Sequence, residues 1–193
     1  SASGKMNIAD DIVTHRQLMG IPLQPCDLDF TTCLYRYEKP ASPHLSVKLA
    51  NAVLDFKIIT KSTQQLQQSY DAVLLEGAGG LLVPITEQLL TLDYIAEQGY
   101  PVILVTSGRL GSINHTLLSL EAIKARGLTL HSVIYNHIHD SAAQTDDEIT
   151  NSTIDYLKNY LARHYPNSYW LQMAQQINST IGNDNLALPP DFI

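Results

Sequence analysis

Short apolar runs alternate with longer stretches of helical periodicity, and this alternation limits the possible folds more than any other feature. The clearest run, residues 101–106, is followed by the helical pattern of residues 112–126. Near-continuous apolar runs of this length are typical of strands buried on both faces of a parallel sheet. Strands alternating with helices predict right-handed βαβ units, that is, a mainly parallel sheet with helices on both faces. We expect a single α/β domain over residues 1–193.

The same criteria locate the individual elements along the chain. The predicted strands are 72–75, 101–106 and 130–135, and the predicted helices are 46–60, 63–69, 89–98, 112–126 and 146–164. Four of the nine prolines fall within residues 21–44, so this stretch is predicted to be irregular.

Charge and cysteine content exclude several classes of protein. Twelve basic against nineteen acidic residues give a net charge of −7, which argues against nucleic-acid or anionic-membrane partners. No apolar run approaches the roughly 20 residues of a membrane-spanning helix, and residues 1–20 resemble no secretory signal. Cys26 and Cys33 form no C-x-x-C pair, so we expect free thiols in a reducing cytoplasm.

A glycine-rich loop with an acidic start, Glu76-Gly-Ala-Gly-Gly80, follows the predicted strand 72–75. Ligands of parallel α/β sheets bind beyond the carboxyl ends of the strands. A carboxylate there can hold a metal ion, and glycines let the backbone approach a phosphate closely. A tight strand-to-loop turn is the structural alternative, but the carboxylate at the strand tip favours a binding site.

The segment Gly108–His115 joins a predicted strand to a predicted helix. Unpaired amides and the helix dipole make such a helix start a natural anion site. Ser112 is a good N-cap, and Asn114 adds a donor in the first turn. For Ser112 a capping role and a ligand contact remain equally open, and Arg109 lies either in solvent or near an anion.

Three other features carry weaker chemical signals. Asp10 and Asp11 precede a helical stretch, where they either cap the helix or supply a second carboxylate for magnesium. His137 and His139 lack an evident third ligand, which disfavours a metal site. The cysteines have no identifiable partner base, so nucleophilic catalysis is unsupported.

Several separated segments resemble the dethiobiotin synthetase family, in that family's order. They are residues 70–85 around Glu76-Gly-Ala-Gly-Gly80, residues 101–116 ending in Gly111-Ser-Ile-Asn-His-Thr116, the element Pro40-Ala-Ser-Pro-His44, and Ser3-Gly4. Together they cover about residues 1–140, and on them the chain is identified as a member of this family. The resemblance implies a P-loop NTPase-like, Rossmann-like fold and a cytoplasmic homodimer.

The resemblance also implies a reaction, an ATP-dependent cyclo-ligation in biotin synthesis. CO2, supplied with bicarbonate, reacts with one amine of 7,8-diaminononanoate to give a carbamate. ATP phosphorylates this carbamate, and the second amine closes the ureido ring with loss of phosphate. Mg2+ and cationic groups are the expected means of stabilising phosphoryl transfer.

Site residues are implied by motif position. The implied magnesium ligands are Glu76 and Asp11, with Asp10 as the fallback for Asp11. The implied nucleotide-binding residues are Glu76, Gly77, Gly79 and Asn136, the last reading the adenine edge. The implied substrate-binding residues are Ser3 and Gly79 for the diamine and carbamate, and Gly111, Ser112 and Asn114 for the carboxylate, reached from the partner subunit.

The chain departs from the family pattern at both ends. The family opens with a strand and a Walker A loop, whereas the only Gly-Lys pair here is Gly4-Lys5, followed by Met6. We therefore expect an N-terminally incomplete chain without the first strand and phosphate loop, whose catalytic residues are unknown. Near the nucleotide base, Tyr165-Pro166 and residues 185–188 are weak counterparts of the family's proline-containing loop, so selectivity for adenine stays open.

Two alternative functions remain. A cobyrinate-type amide ligase shares a similar acidic-Gly-Ala-Gly tip, but no glutaminase-like domain is found in the sequence. A non-catalytic dimeric paralogue without a phosphate loop would bind a carboxylate ligand or a partner protein. The carboxylates of Glu76 and Asp11 are unexpected in such a paralogue.

Overall fold

The computed structural model describes residues 8–37, 41–137, 147–173 and 192. The chain divides into two compact units, Ser1–Leu90 and Thr91–Ile193, each of which has its own internal packing. The expectation of a single α/β domain stays a prediction.

In its described part, the first unit is built from helices and irregular segments. The helices are α1 (Asp10–Leu18), α2 (Pro25–Leu28), α3 (Pro43–Leu49) and α4 (Phe56–Gln67). The predicted helix 46–60 is wrong as a single element, because the chain turns between α3 and α4. Asn51 adopts a positive φ of 47° in that turn, and the Asp55 carboxylate accepts a hydrogen bond from Lys57 N at 2.9 Å to start α4. The predicted helix 63–69 is the second half of α4.

The predicted strand 72–75 does not form. These residues pair with no strand in the described part of the chain, and Leu74 is 83% exposed. An apolar run becomes a strand only where a neighbouring strand supplies the backbone hydrogen bonds, and that partner is missing in the first unit as described. The only β-pairing described here is an isolated bridge between Pro84 and Leu90.

The second unit contains a parallel sheet flanked by helices, as predicted. Its elements are α5 (Thr91–Gln98), β1 (Val102–Ser107), α6 (Ser112–Ala125), β2 (Leu130–Asn136), α7 (Asp147–His164) and β3 (Tyr169–Met173). The strands lie in the order β1-β2-β3, with both pairs parallel. The strands at 101–106 and 130–135 are thus confirmed to within a residue or two. The sequence analysis missed β3, although the aromatic pair Tyr169-Trp170 is typical of a strand.

The core of the second unit lies around β2. Val133 and Tyr135 of β2 are fully buried, as are Leu120 and Ile123 of α6, and α7 adds Leu157. β1 is an edge strand of this three-stranded sheet, and its residue Val105 is 56% exposed. Polar contacts connect the helices in addition. They are Arg126 Nε to Asp93 Oδ1 at 2.7 Å between α6 and α5, and Tyr160 Oη to Glu121 Oε1 at 3.2 Å between α7 and α6.

Glycines end two helices of this unit where the sequence pattern predicts it. Gly99 follows α5 with a φ of 68°, and Gly127 follows α6 with a φ of 65°. Both are left-handed conformations that glycine adopts without the steric cost of a Cβ. Among the described residues, no helix combines the length and the apolar character needed to cross a bilayer.

Two leucines of α6 provide a test of this core. Leu120 is fully buried and Leu118 is 60% exposed, so we expect Leu120→Ala to lower the free energy of unfolding by about 2–5 kcal/mol. Leu118→Ala, the matched control on the same helix, should change it by less than about 0.5 kcal/mol. Urea unfolding measures both values. Equal losses for the two variants would contradict the described orientation of α6.

Candidate functional site

A cavity of about 290 Å³ opens at the carboxyl end of β1, and we call it the strand-end cavity. Its lining comes from β1, the following loop, α6 and the last residue of β2, namely Leu104, Val105, Thr106, Ser107, Arg109, Ser112, His115, Thr116, Ser119 and Asn136. Ser107 and Asn136 are neighbours because they are partners in the parallel register of β1 and β2. The cavity is therefore at the edge of the sheet where ligands of α/β proteins bind.

The N-terminus of α6 has no side-chain cap. Its N-cap residue is Gly111, in the left-handed conformation with a φ of 87°, and Ser112 is the first helical residue. Of the two roles left open for Ser112, the capping role is wrong, because Gly111 occupies the N-cap position. Ser112 N donates to Arg109 O at 3.0 Å, and the next amides of the first turn have no earlier intrahelical carbonyl. This end of α6 offers unpaired donors and a positive dipole end, with Arg109 in the adjoining cavity lining.

A hydrogen-bond relay sets the polarity of the cavity wall. Thr116 Oγ1 donates its single hydrogen to Ser112 O at 2.7 Å. Thr116 Oγ1 lies 2.5 Å from Thr106 Oγ1, and its own hydrogen is already used, so Thr106 must donate to Thr116. The Thr106 hydroxyl can then only accept any further bond. The wall at Thr106 thus presents an acceptor, whereas the start of α6 presents donors.

Two residues assigned to substrate or nucleotide by resemblance line this cavity, and others do not. Ser112 and Asn136 line it, and Gly111 is the N-cap beside them. Asn114 is exposed and outside the lining, and Ser3 lies outside the described residues. The roles of all these residues stay predictions.

Sequence reasoning missed Thr116 as a residue of this cavity. The signal available was the spacing of Thr116 four residues after Ser112, which puts both on one face of α6. His115 lies at the edge of the same face and packs close to Gly111. A Cβ placed on Gly111 would be 3.6 Å from His115 Nε2.

In the first unit, Glu76 begins an exposed loop opposite α1. The Glu76 side chain is 79% exposed, and its Oε2 lies 3.8 Å from His15 Nε2. Asp11 lies four residues before His15, so both side chains occupy one face of α1. Neither Asp10 nor Asp11 caps this helix, because the N-cap residue is Ala9 and no side-chain cap bond is made.

The donor set at Glu76 and Asp11 fits a magnesium ion. Mg2+ keeps several waters and uses one or two protein carboxylates together with substrate phosphates. Two exposed carboxylates meet that requirement. In the part of the chain that the structure describes, no three His, Cys, Asp or Glu side chains converge into a ready-made metal centre. His137 instead pairs through Nε2 with Gln172 Oε1 at 3.1 Å, and His139 lies outside the described residues.

The two cysteines are free thiols with structural contacts. Cys26 Sγ lies 3.3 Å from Tyr70 Oη, and Cys33 Sγ donates weakly to Tyr35 O at 3.8 Å. Burial raises the pKa of the Cys33 thiol, which disfavours the nucleophilic thiolate.

Two segments are weak counterparts of the family's loop near the nucleotide base, and the structure describes only the first of them, Tyr165-Pro166. Tyr165 Oη donates to Leu120 O at 2.9 Å, so this side chain packs against α6. Residues 185–188 lie outside the described residues.

A family model described as an AAA domain matches residues 25–183. An ATP-dependent dethiobiotin synthetase, BioD 2, of Haemophilus influenzae is 57% identical over 134 residues, which are 69% of this chain and 70% of that protein. The same-named protein of Pasteurella multocida is 46% identical, covering 86% of this chain and 76% of its own length. That of Haemophilus ducreyi is 46% identical, with 90% and 81% covered.

The glycine-rich loop after Glu76 offers a test with a matched pair. Gly79 has a φ of 87°, and a Cβ there would lie 2.8 Å from Val83 Cγ2, whereas Gly80 has no atom within 4 Å of such a Cβ. We expect Gly79→Ala to lower the free energy of unfolding by about 1–2 kcal/mol, because a Cβ is unfavourable in the left-handed region.

Gly80→Ala is the control and should stay within about 0.5 kcal/mol of the unsubstituted protein. Urea unfolding measures the free energy of unfolding of both variants. A loss at Gly80 as large as that at Gly79 would show that the loop does not have the described conformation.

Proposed function

The chain belongs to the dethiobiotin synthetase family, and on that premise we propose that its protein closes the ureido ring of dethiobiotin from 7,8-diaminononanoate and CO2, with ATP as co-substrate. The chain has the AAA domain of an ATP-dependent ligase that forms carbon–nitrogen bonds. Mg2+ as cofactor, a homodimer and a cytoplasmic location complete the proposal. The free thiols of Cys26 and Cys33 are in keeping with a reducing compartment.

The uncapped start of α6, beside Arg109 in the strand-end cavity, is the observation that carries this proposal. A carboxylate satisfies the free amides of such a helix start and gains from the dipole. Diaminononanoate carries one carboxylate at the end opposite its two amines. We assign that carboxylate to Gly111, Ser112 and Asn114, reached from the partner subunit.

The remaining residues have roles in binding and orientation. Asn136, at the carboxyl end of β2, has both a donor and an acceptor for the adenine edge. Gly77 and Gly79 lack side chains, so the nucleotide and the diamine can approach the backbone closely. Ser3 together with Gly79 lines the diamine and carbamate. Glu76 and Asp11 would hold Mg2+, which supplies charge neutralisation for phosphoryl transfer when bound.

The proposed reaction balances in three steps. One amine adds to the carbon of CO2 and loses a proton, giving a carbamate. A carbamate oxygen takes the γ-phosphoryl group of ATP and releases ADP. The second amine then attacks the carbamoyl carbon and loses a proton. The bond from that carbon to the phosphorylated oxygen breaks, phosphate leaves, and the ring closes. The last step is intramolecular because the carbamoyl carbon is bonded to the first amine, and the protein contributes by holding the second amine near that carbon.

The first test concerns Glu76. In the natural protein, Glu76→Gln should raise the Mg2+ concentration for half-maximal dethiobiotin formation about 10-fold or more, because an anionic ligand is lost. Glu87→Gln, an exposed glutamate of the same unit, is the charge-matched control. The assay supplies diaminononanoate, bicarbonate and MgATP.

If no dethiobiotin forms, and calorimetry detects no Mg2+-dependent ATP binding, the non-catalytic paralogue replaces the ligase. If amidation of another carboxylate is found instead, the cobyrinate-type ligase does.

The second test concerns the carboxylate. Arg109→Gln should raise the KM for diaminononanoate about 10-fold while changing the KM for ATP less than about 2-fold, because a hydrogen bond to a charged group is lost. Arg163→Gln, on the exposed side of α7, is the control for net charge. Steady-state kinetics separate the two constants. A rise in the KM for ATP alone would contradict the assignment of this cavity to the carboxylate.

A further inference from the structure

One buried carboxylate in the first unit joins two helices. Asp27 of α2 accepts hydrogen bonds from Arg16 Nε at 2.8 Å and from Arg16 Nη2 at 2.9 Å. Its remaining acceptor sites are taken by Gln24 N at 2.7 Å and by Thr32 Oγ1 at 2.9 Å. The Asp27 side chain is 0% exposed. We call these four residues the Asp27 cluster.

The Asp27 cluster is fully paired, so it acts as a rigid attachment. The two bonds from Arg16 form the bidentate arrangement that fixes both distance and orientation. Hydrogen bonds from Arg16 hold the pKa of Asp27 below its ordinary value, so the carboxylate is charged at neutral pH. Its contribution to stability is present above the ordinary pKa of aspartate and is lost only as the pH falls through the lowered value.

Helix α1 has no fully buried residue, and its apolar side chains Ile12, Val13 and Leu18 are only partly buried. Arg16, whose side chain is 19% exposed, therefore gives α1 a directional attachment that partial apolar packing does not supply. The same helix carries Asp11 and His15 on one face, and His15 Nε2 lies 3.8 Å from Glu76 Oε2. A rotation or shift of α1 would change the position of Asp11 relative to Glu76.

The other side of the cluster leads to the Glu76 loop. Cys26, next to Asp27 in α2, places its Sγ 3.3 Å from Tyr70 Oη. Tyr70 lies six residues before Glu76 in a segment without helix or strand. The segment that carries Glu76 is thus in contact with α2 through Tyr70 and with α1 through His15.

We propose that Arg16 and Asp27 are positioning residues, which hold α1 so that Asp11 and Glu76 can share one divalent cation. This inference rests on the proposed function, since it assumes that Glu76 and Asp11 bind the cation. Neither Arg16 nor Asp27 contacts the cation or the substrate in this assignment. They act through the placement of α1 alone.

Thr32 supplies a control from within the cluster. Thr32→Val removes one hydrogen bond to Asp27 but leaves the Arg16 pair intact, whereas Arg16→Lys keeps the charge and loses the bidentate geometry. Both variants are expected to lower the melting temperature, so loss of stability by itself does not separate them.

Manganese binding separates them without turnover. The natural protein is titrated with Mn2+ in the presence of ATP and without diamine, and free Mn2+ is followed by electron paramagnetic resonance. We expect Arg16→Lys to weaken Mn2+ binding about 10-fold, as supporting residues of metal sites do, and Thr32→Val to change it less than about 2-fold. Wild-type affinity in Arg16→Lys, or equal weakening in both variants, overturns the proposal.

Glu76→Gln in the same titration tests the cation site separately from the positioning role of Arg16 and Asp27. If Glu76→Gln weakens Mn2+ binding and Arg16→Lys does not, the cation site stands and only the positioning role is wrong. If Glu76→Gln leaves the affinity unchanged, the cation site itself is wrong, and the positioning role is overturned with it.

Discussion

Parallel pairing of β1 with β2 determines where chemistry can occur in the second unit. Because the strands run in the same direction and in register, Ser107 and Asn136 end side by side at one edge of the sheet. The loop from β1 to α6 is short, so the helix begins at that same edge. A cavity lined by strand ends and a helix start follows from this pairing, and the buried side chains of β2 keep the strands in place.

The cavity has an internal polarity that follows from its hydrogen-bond geometry. At the start of α6, Gly111 leaves the first amides without a side-chain cap, so that end offers donors. At Thr106 the relay through Thr116 consumes the hydroxyl hydrogen, so that wall offers an acceptor. A molecule with an anion at one point and an N–H or O–H group at another would satisfy both.

The two units are stabilised by different means. In the second, apolar side chains from α6, α7 and β2 are excluded from water, which is the usual driving force for an α/β core. In the first, α1 has no fully buried residue, and the ion pair between Arg16 and the buried Asp27 joins it to α2. A buried ion pair contributes modest net stability, but it requires one geometry. That property suits a helix whose exposed face carries candidate cation ligands.

Elements with a local pattern could be predicted from the amino-acid sequence, whereas the pairing of distant residues depended on the folded structure. The runs that became β1 and β2, and the glycine that stops α6, could be predicted because periodicity and backbone preference act over a few residues. Residues 72–75 have the same apolar character as β1, yet they form no strand, because a strand requires a partner. Likewise the bond between Arg16 and Asp27 and the relay from Thr106 to Thr116 join side chains that only folding brings together. Hydrogen bonds are directional and short, so their partners depend on three-dimensional position, which no local pattern contains.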